Sequence, residues 1–513
     1  MEETPGMPPS SIELDGSPLA PMEVVAVARK GGSVVLAESA RIAMARGRGL
    51  IESIVAHGDT VYGVNTGFGS LARVRVSPSQ LVELQRNLVR SHAAGVGDPL
   101  PLDVTRAMLL ITAASLARGY SGVRPALVDG LLALLNAGVH PVIPWQGSLG
   151  ASGDLAPLAH MALVLIGEGE AWYRGERLPG DQALARAGLA PLTLAAKEGL
   201  ALINGTHLMS AVGVLCIADA EYLLQVAEAA AAMSVDALRG TDTAFDPRIQ
   251  RLRAQPAQTA SAAVLRRWLA GSEILAGHAD CARVQDPYTL RCIPQVLGAV
   301  REAMAHVRQV IGRELGAVTD NPLCFPDDGE VLSGGNFHGQ PLALPLDYLA
   351  IALTTLGGFS ERRTYALVST WEGEAALPVY LTPEPGLRSG MMIAQYVAAA
   401  LVAENKILAH PASVDSIPTS AGIEDYVSMG ATAAWKARRV LENTTRAIAI
   451  ELLCAAQALE CRRPLQSSPR LEALLSEIRA IVPHLDIDRS LAPDIEIISD
   501  AIRSGKFVLA RVG

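Results

Sequence analysis

Ser152 stands in Gly150-Ala151-Ser152-Gly153-Asp154, and three chemistries compete for a serine in that setting. A serine hydrolase needs G-x-S-x-G; Asp154 occupies the fifth position, so that motif fails. The ordinary role is a helix N-cap, in which Ser152 or Asp154 accepts from N–H groups of the following turn. The third is chemistry of the backbone itself. Glycine has no Cβ, so the chain can compress until the Gly153 nitrogen reaches the Ala151 carbonyl carbon. Attack there, with loss of two waters, one of them from the serine side chain, gives a 4-methylidene-imidazol-5-one. Its exocyclic methylene is an electrophile that no ordinary side chain supplies.

Two further stretches carry candidate residues. Tyr62 opens a Gly-rich loop, YGVNTGFGS. Gly67-Phe68-Gly69 followed by Ala72 mimics a dinucleotide fingerprint. No regular βαβ pattern surrounds it, and the acidic residue expected about twenty positions on is missing. Arg291 ends QDPYTLR. A guanidinium binds a carboxylate through two parallel hydrogen bonds, which fixes the orientation of an amino acid; a structural ion pair is the bland alternative. Tyr288 precedes it by three residues and shares its face if the segment is helical.

The stretch GSLGASGDLAPLAHMALVLIGEG, 147–169, resembles the cofactor loop of the aromatic amino acid ammonia-lyases and aminomutases. Further matches run from about residue 62 to about 500: YGVNTGFGSL, NLVRSHAAGVG, EGLALINGT, RVQDPYTLRCIPQVLGA, TDNPL, GGNFHGQP, ENK and SVDSIPTSAGIEDYVSMG. The resemblance implies a 4-methylidene-imidazol-5-one made from Ala151, Ser152 and Gly153, with no external cofactor and no metal. It implies Tyr62 as the base that takes the β-proton, which requires a pKa well below the ordinary value of about 10. Arg291 becomes the carboxylate clamp, with Tyr288 in the same site. Asn204, Gln285 and Asn321 become hydrogen-bonding groups around cofactor and substrate carboxylate, and Phe337 the aromatic beside the cofactor. It also implies homotetramers whose sites are shared between chains.

Within the family, two features favour the branch that acts on L-histidine, eliminating ammonia to leave trans-urocanate. Ser91-His92 places a hydrogen-bonding ring where the branches acting on phenylalanine and tyrosine tend to carry leucine. Glu424 places a carboxylate that can accept an imidazole N–H. Ile423 and Tyr426 depart from the family's pattern of glutamine and histidine. An amide lost at Ile423 is expected to orphan a buried group at a cost of about 1–3 kcal/mol. The resemblance leaves open whether the electrophile captures the amine or the imidazole ring. A lyase or 2,3-aminomutase acting on tyrosine or phenylalanine is the rival reading. An inert helical interaction protein is the rival from another class.

These residues must be positioned by a large core. The chain has 513 residues, half of them hydrophobic but only 4% aromatic, so Ala, Leu, Val and Ile must fill it, which favours helix. Val300, Met304, Val307 and Ile311 fall on one helical face, and Trp435 to Leu453 patterns as another long helix. Asp320-Asn321-Pro322 ends the first. The expected fold is mainly α: a long central helical bundle with a loop-bearing N-terminal part, in a fumarase/aspartase-like architecture. Three parts are expected: 1–198 with the Tyr62 and Ala-Ser-Gly loops, the bundle at 199–465, and a small helical part at 466–513. A net charge of −9 recommends neither nucleic acid nor an anionic membrane. Residues 199–218 carry no formal charge, but three glycines and several polar side chains favour a helix buried inside protein over a membrane span. The six cysteines form no C-x-x-C pair and have no zinc-finger spacing, and the N-terminus lacks a signal-peptide pattern; the cytoplasm is expected.

Overall fold

In a computed structural model, residues 11–67, 69, 74–277, 284–369 and 377–508 are described. Phe68 and Ala72 of the Gly-rich loop, Cys281 and Arg283 lie outside them. Among the described residues the fold is mainly α, with four small sheets of two or three strands. Two compact units emerge, each assembled from separated stretches: Met1–Ala218, Arg308–Leu346 and Pro411–Trp435 in the first, Asp219–Val307, Asp347–His410 and Lys436–Gly513 in the second. Four long helices, His207–Ala237, Ile293–Glu314, Gln340–Val368 and Gly430–Glu460, contribute residues to both.

The first unit is built on short Ala- and Leu-rich helices. Leu102–Ala117 is buried from Val104 onward, and Pro125–Ala137 buries six of its leucine and valine side chains beside it. Glu38–His57 closes on Gly58 in the left-handed region, where a side chain would be strained. A parallel pair, Ile12–Leu14 with Val34–Leu36, and an antiparallel sheet of His140–Pro141, Glu170–Tyr173 and Glu176–Pro179 flank the helices. The uncharged stretch at 199–218 forms Glu198–Ile203 and the start of His207–Ala237, and it is buried almost throughout. The apolar windows of His207–Ala237 and Gln340–Val368 are long enough to cross a membrane, yet 72% and 61% of them are buried within the protein. That is the pattern of core helices.

The second unit buries polar layers between its helices. Glu451 accepts from both Arg363 Nε (2.5 Å) and Nη2 (2.8 Å), and from Ser234 and Ser360, with Arg363 and Glu451 wholly inaccessible. Four hydrogen bonds to the Glu451 carboxylate offset its burial, although Arg363 Nη1 is buried without a partner. Val300, Met304 and Val307 are buried, as their spacing predicts.

Candidate functional site

The Ala-Ser-Gly segment joins the strand Pro144–Gln146 to the helix Leu155–Leu165. It folds on itself so tightly that Gly150 and Gly153 bridge each other, with Ser152 at φ 50° and Gly153 at φ 79°. Gly205 holds the turn from one side: its N–H donates to the Ser152 carbonyl (3.3 Å) and its carbonyl accepts from Asp154 N–H (2.7 Å). A Cβ on Gly153 would lie 2.0 Å from the Gly205 oxygen, so only glycine fits. The segment is thus a tight turn with two consecutive residues, Ser152 and Gly153, in the left-handed region.

Asp154 acts differently from the expected cap. Its side chain makes no bond to its own helix. It accepts from Ser148 Oγ (2.7 Å) and from the N–H groups of Leu208 (2.9 Å) and Met209 (3.0 Å), so it caps His207–Ala237 instead. The cap expectation is corrected because the free donors of another helix reach this carboxylate first. Burial pushes its carboxyl up to about 6, against the pull of those three donors.

Asn204 ends the helix before Gly205. Its Nδ2 donates to the Asn321 carbonyl (3.0 Å) and lies 3.5 Å from Asp320 Oδ1, while its Oδ1 is buried without a partner. Asp320 in turn pairs with Lys197 (2.6 Å), both side chains buried. Asn321 Oδ1 accepts from Gly334 N–H (2.7 Å). Sequence reasoning missed Lys197 and Asp320 as members of this network. The signal was a charged Lys197-Glu198 pair abutting an uncharged run; both are inaccessible, Glu198 being paired with Arg124 (2.6 Å).

The loop 413–430 covers the turn: Met429 N–H donates to the Leu149 carbonyl (3.2 Å). It brings Glu424 to Ser152, whose Oγ donates to Glu424 Oε1 at 3.3 Å. Thr419 Oγ1 donates to the other carboxylate oxygen at 2.8 Å. Tyr62 completes the group, with Gly69 N–H 3.5 Å from its phenol oxygen. Its phenol is not depressed as expected. Burial raises its pKa, the Gly69 hydrogen bond lowers it, and the charge of Glu424 raises it further. Among the described residues no cation takes part in these shifts.

Ile423 is 67% exposed, so replacing an amide there orphans no buried group within the chain, and that expectation is corrected. Tyr426, also exposed, stacks on His338 with ring centroids 6.1 Å apart. Phe337 is half-buried just before Gln340–Val368. His92 ends the helix Leu81–His92, its Nδ1 at 2.9 Å from the Leu88 carbonyl of its own helix and 3.1 Å from Ser91 Oγ. Both polar side chains of Ser91-His92 are thus engaged locally. Gln285, Tyr288 and Arg291 belong to the second unit. There, Tyr288–Arg291 is a single helical turn, the Arg291 guanidinium lies 4.6 Å from the Tyr288 ring centre, and its Nε donates to the Asp286 carbonyl (2.9 Å). Tyr288 is 70% exposed, a ring held in place by a cation with open space around it.

Residues 19–480 match the family model of the aromatic amino acid lyases. The chain is 55% identical over 500 residues to the histidine ammonia-lyase of Symbiobacterium thermophilum, covering 98% of each chain. It is 54% identical over 501 residues to that of an Anaeromyxobacter species, covering 96% of this chain and 98% of the relative. Among solved structures, the histidine ammonia-lyase of Trypanosoma cruzi superposes with a TM-score of 0.89 at 42% identity, covering 97% of this chain and 94% of the other. The tyrosine aminomutase of Streptomyces globisporus superposes with a TM-score of 0.91 at 39% identity, covering 97% of each.

Proposed function

From the premise that the chain belongs to the aromatic amino acid lyase family, we propose that it is a carbon–nitrogen lyase that eliminates ammonia from L-histidine to give trans-urocanate. The observation that carries the reading is the Gly150–Gly153 turn pinned by Gly205 with Ser152 and Glu424 in hydrogen-bond contact. The substrate assignment is supported by relatives at 51–55% identity that carry the name histidine ammonia-lyase.

The residues fit a 4-methylidene-imidazol-5-one derived from Ala151, Ser152 and Gly153. The turn is tight, with Ser152 and Gly153 both at positive φ, Gly153 sits where no Cβ fits, and the buried Asn204 Oδ1 stands unpartnered nearby. That group supplies an electron sink, which the β-proton needs because positioned acid–base catalysis contributes only about 10²–10⁴-fold.

The chain's own residues divide the remaining work. Arg291 holds the substrate carboxylate, as a planar guanidinium does in two parallel hydrogen bonds, and Tyr288 lines the same site. Glu424 accepts the imidazole N–H, and Ser91 and His92 offer hydrogen-bonding groups toward the ring. Asn204, Gln285 and Asn321 hydrogen-bond around the turn and the carboxylate, and Phe337 packs beside them. Tyr62 takes the β-proton at its phenolate oxygen. Its ionisation is held back by burial and by Glu424, so binding a cationic ammonium group close by assists it.

The site is shared between chains in a homotetramer. This is supported by an exposed apolar stripe in the second unit: Tyr348, Ile351 and Tyr365 on one helix, Ile393, Tyr396 and Val397 on the next. The cytoplasm is its compartment, a reading supported by six sparse cysteines with no C-x-x-C pair among them. Ser152→Ala tests the chemistry. Turnover is expected to be lost, together with the near-ultraviolet absorbance that distinguishes the parent, while thermal unfolding stays unchanged. Near-normal turnover in that variant would contradict the reading.

A further inference from the structure

We propose that Glu424 is the acid–base group that drives dehydration of Ser152 during maturation of the Ala-Ser-Gly turn. The inference rests on the reading above that this turn becomes the electrophile. The serine's leaving oxygen has a carboxylate partner: Ser152 Oγ and Glu424 Oε1 are 3.3 Å apart. Glu424 is not free to swing. Thr419 Oγ1 holds Oε2 at 2.8 Å, and the backbones of Thr419 and Glu424 bridge each other. The loop bearing both is fastened to the turn through Met429 N–H and the Leu149 carbonyl (3.2 Å). Ser428 Oγ occupies the space that a Cβ on Gly150 would need, at 2.1 Å.

The chemistry balances without a co-reactant. The Gly153 nitrogen adds to the Ala151 carbonyl carbon, and its proton passes to the carbonyl oxygen. That oxygen leaves as water with the Ser152 N–H proton, creating a carbon–nitrogen double bond. In the second dehydration the Ser152 Cα–H bond breaks and its electron pair forms the Cα–Cβ double bond. The Cβ–Oγ pair departs with oxygen. The Glu424 carboxylate takes the Cα proton and passes it on to Oγ, so that water rather than hydroxide leaves and Glu424 ends as it began. A hydroxyl is a poor leaving group unless protonated, so a carboxyl already in hydrogen-bond contact with it is the group placed to assist.

The test reads mass, not turnover. Intact-protein mass spectrometry follows freshly produced parent, Ser152→Ala, Glu424→Gln, Glu424→Asp and Thr419→Val, with circular dichroism confirming each fold. The parent is expected to become lighter by two waters. Glu424→Gln is expected to retain the serine oxygen, with the second dehydration slowed about 10²–10⁴-fold. Glu424→Asp restores part of the loss, and Thr419→Val slows it without abolishing it. A folded Glu424→Gln chain that loses two waters as fast as the parent overturns the proposal. If the Gln variant does not fold, Thr419→Val maturing at the parent's rate overturns it. A parent that keeps its full mass would instead overturn the cofactor reading of the preceding section.

Discussion

Tyr62 is asked to take a proton from carbon with a phenol that burial and the Glu424 charge both hold above its ordinary value. The base form is the phenolate, so activity that depends on it must grow as pH rises toward and beyond 10, the phenol's ordinary value. The pH profile of kcat/KM is expected to climb through the alkaline range. A plateau already reached near neutrality would show that the ionisation is set by groups other than these. The Ala-Ser-Gly turn was legible in the sequence because small residues are what compression requires. The upward shift of Tyr62 was not: it comes from a carboxylate far along the chain and from burial, neither of which a local motif displays. The outward-facing side chain of Ile423 was likewise not legible, since only the fold reveals its exposure.

At the scale of elements, the turn is held by the ends of helices rather than by their middles. Asp154 leaves its own helix uncapped and satisfies the first N–H groups of a helix 54 residues further on. Asp154→Ala strands Ser148 and two buried backbone donors, and each such orphan costs about 1–3 kcal/mol. Thermal unfolding is expected at a markedly lower temperature, whereas Asp154→Asn, which keeps an acceptor, loses less. Equal melting of parent and Ala variant would mean that water replaces the carboxylate. The long helices themselves were readable from periodicity, because the apolar positions of Ile293–Glu314 and Gly430–Glu460 recur at three and four. The buried Lys197–Asp320 pair beneath Asn204 was not, because a lysine in sequence looks like surface until its partner is seen.

For the whole molecule, length, low charge and an aliphatic composition fixed the helical class, and the motif series placed the chain in its family. The composition could not place apolar side chains on the outside. Tyr348 and Ile351 are exposed on a helix whose apolar window is mostly buried, and Ile393 and Tyr396 on one that buries only Ala394, Ala398 and Asn405. Tyr396→Asp is expected to weaken assembly in sedimentation experiments and to reduce activity in proportion, with the helical circular-dichroism signal retained; a variant that still sediments as the parent and keeps full activity would remove this face from the interface. The central claim is the reaction. Purified protein incubated separately with L-histidine, L-tyrosine and L-phenylalanine, with products identified by mass spectrometry, tests it most directly. Urocanate and ammonia are expected from L-histidine, with little product from the other two. Coumarate, cinnamate or a β-amino acid without urocanate would contradict it.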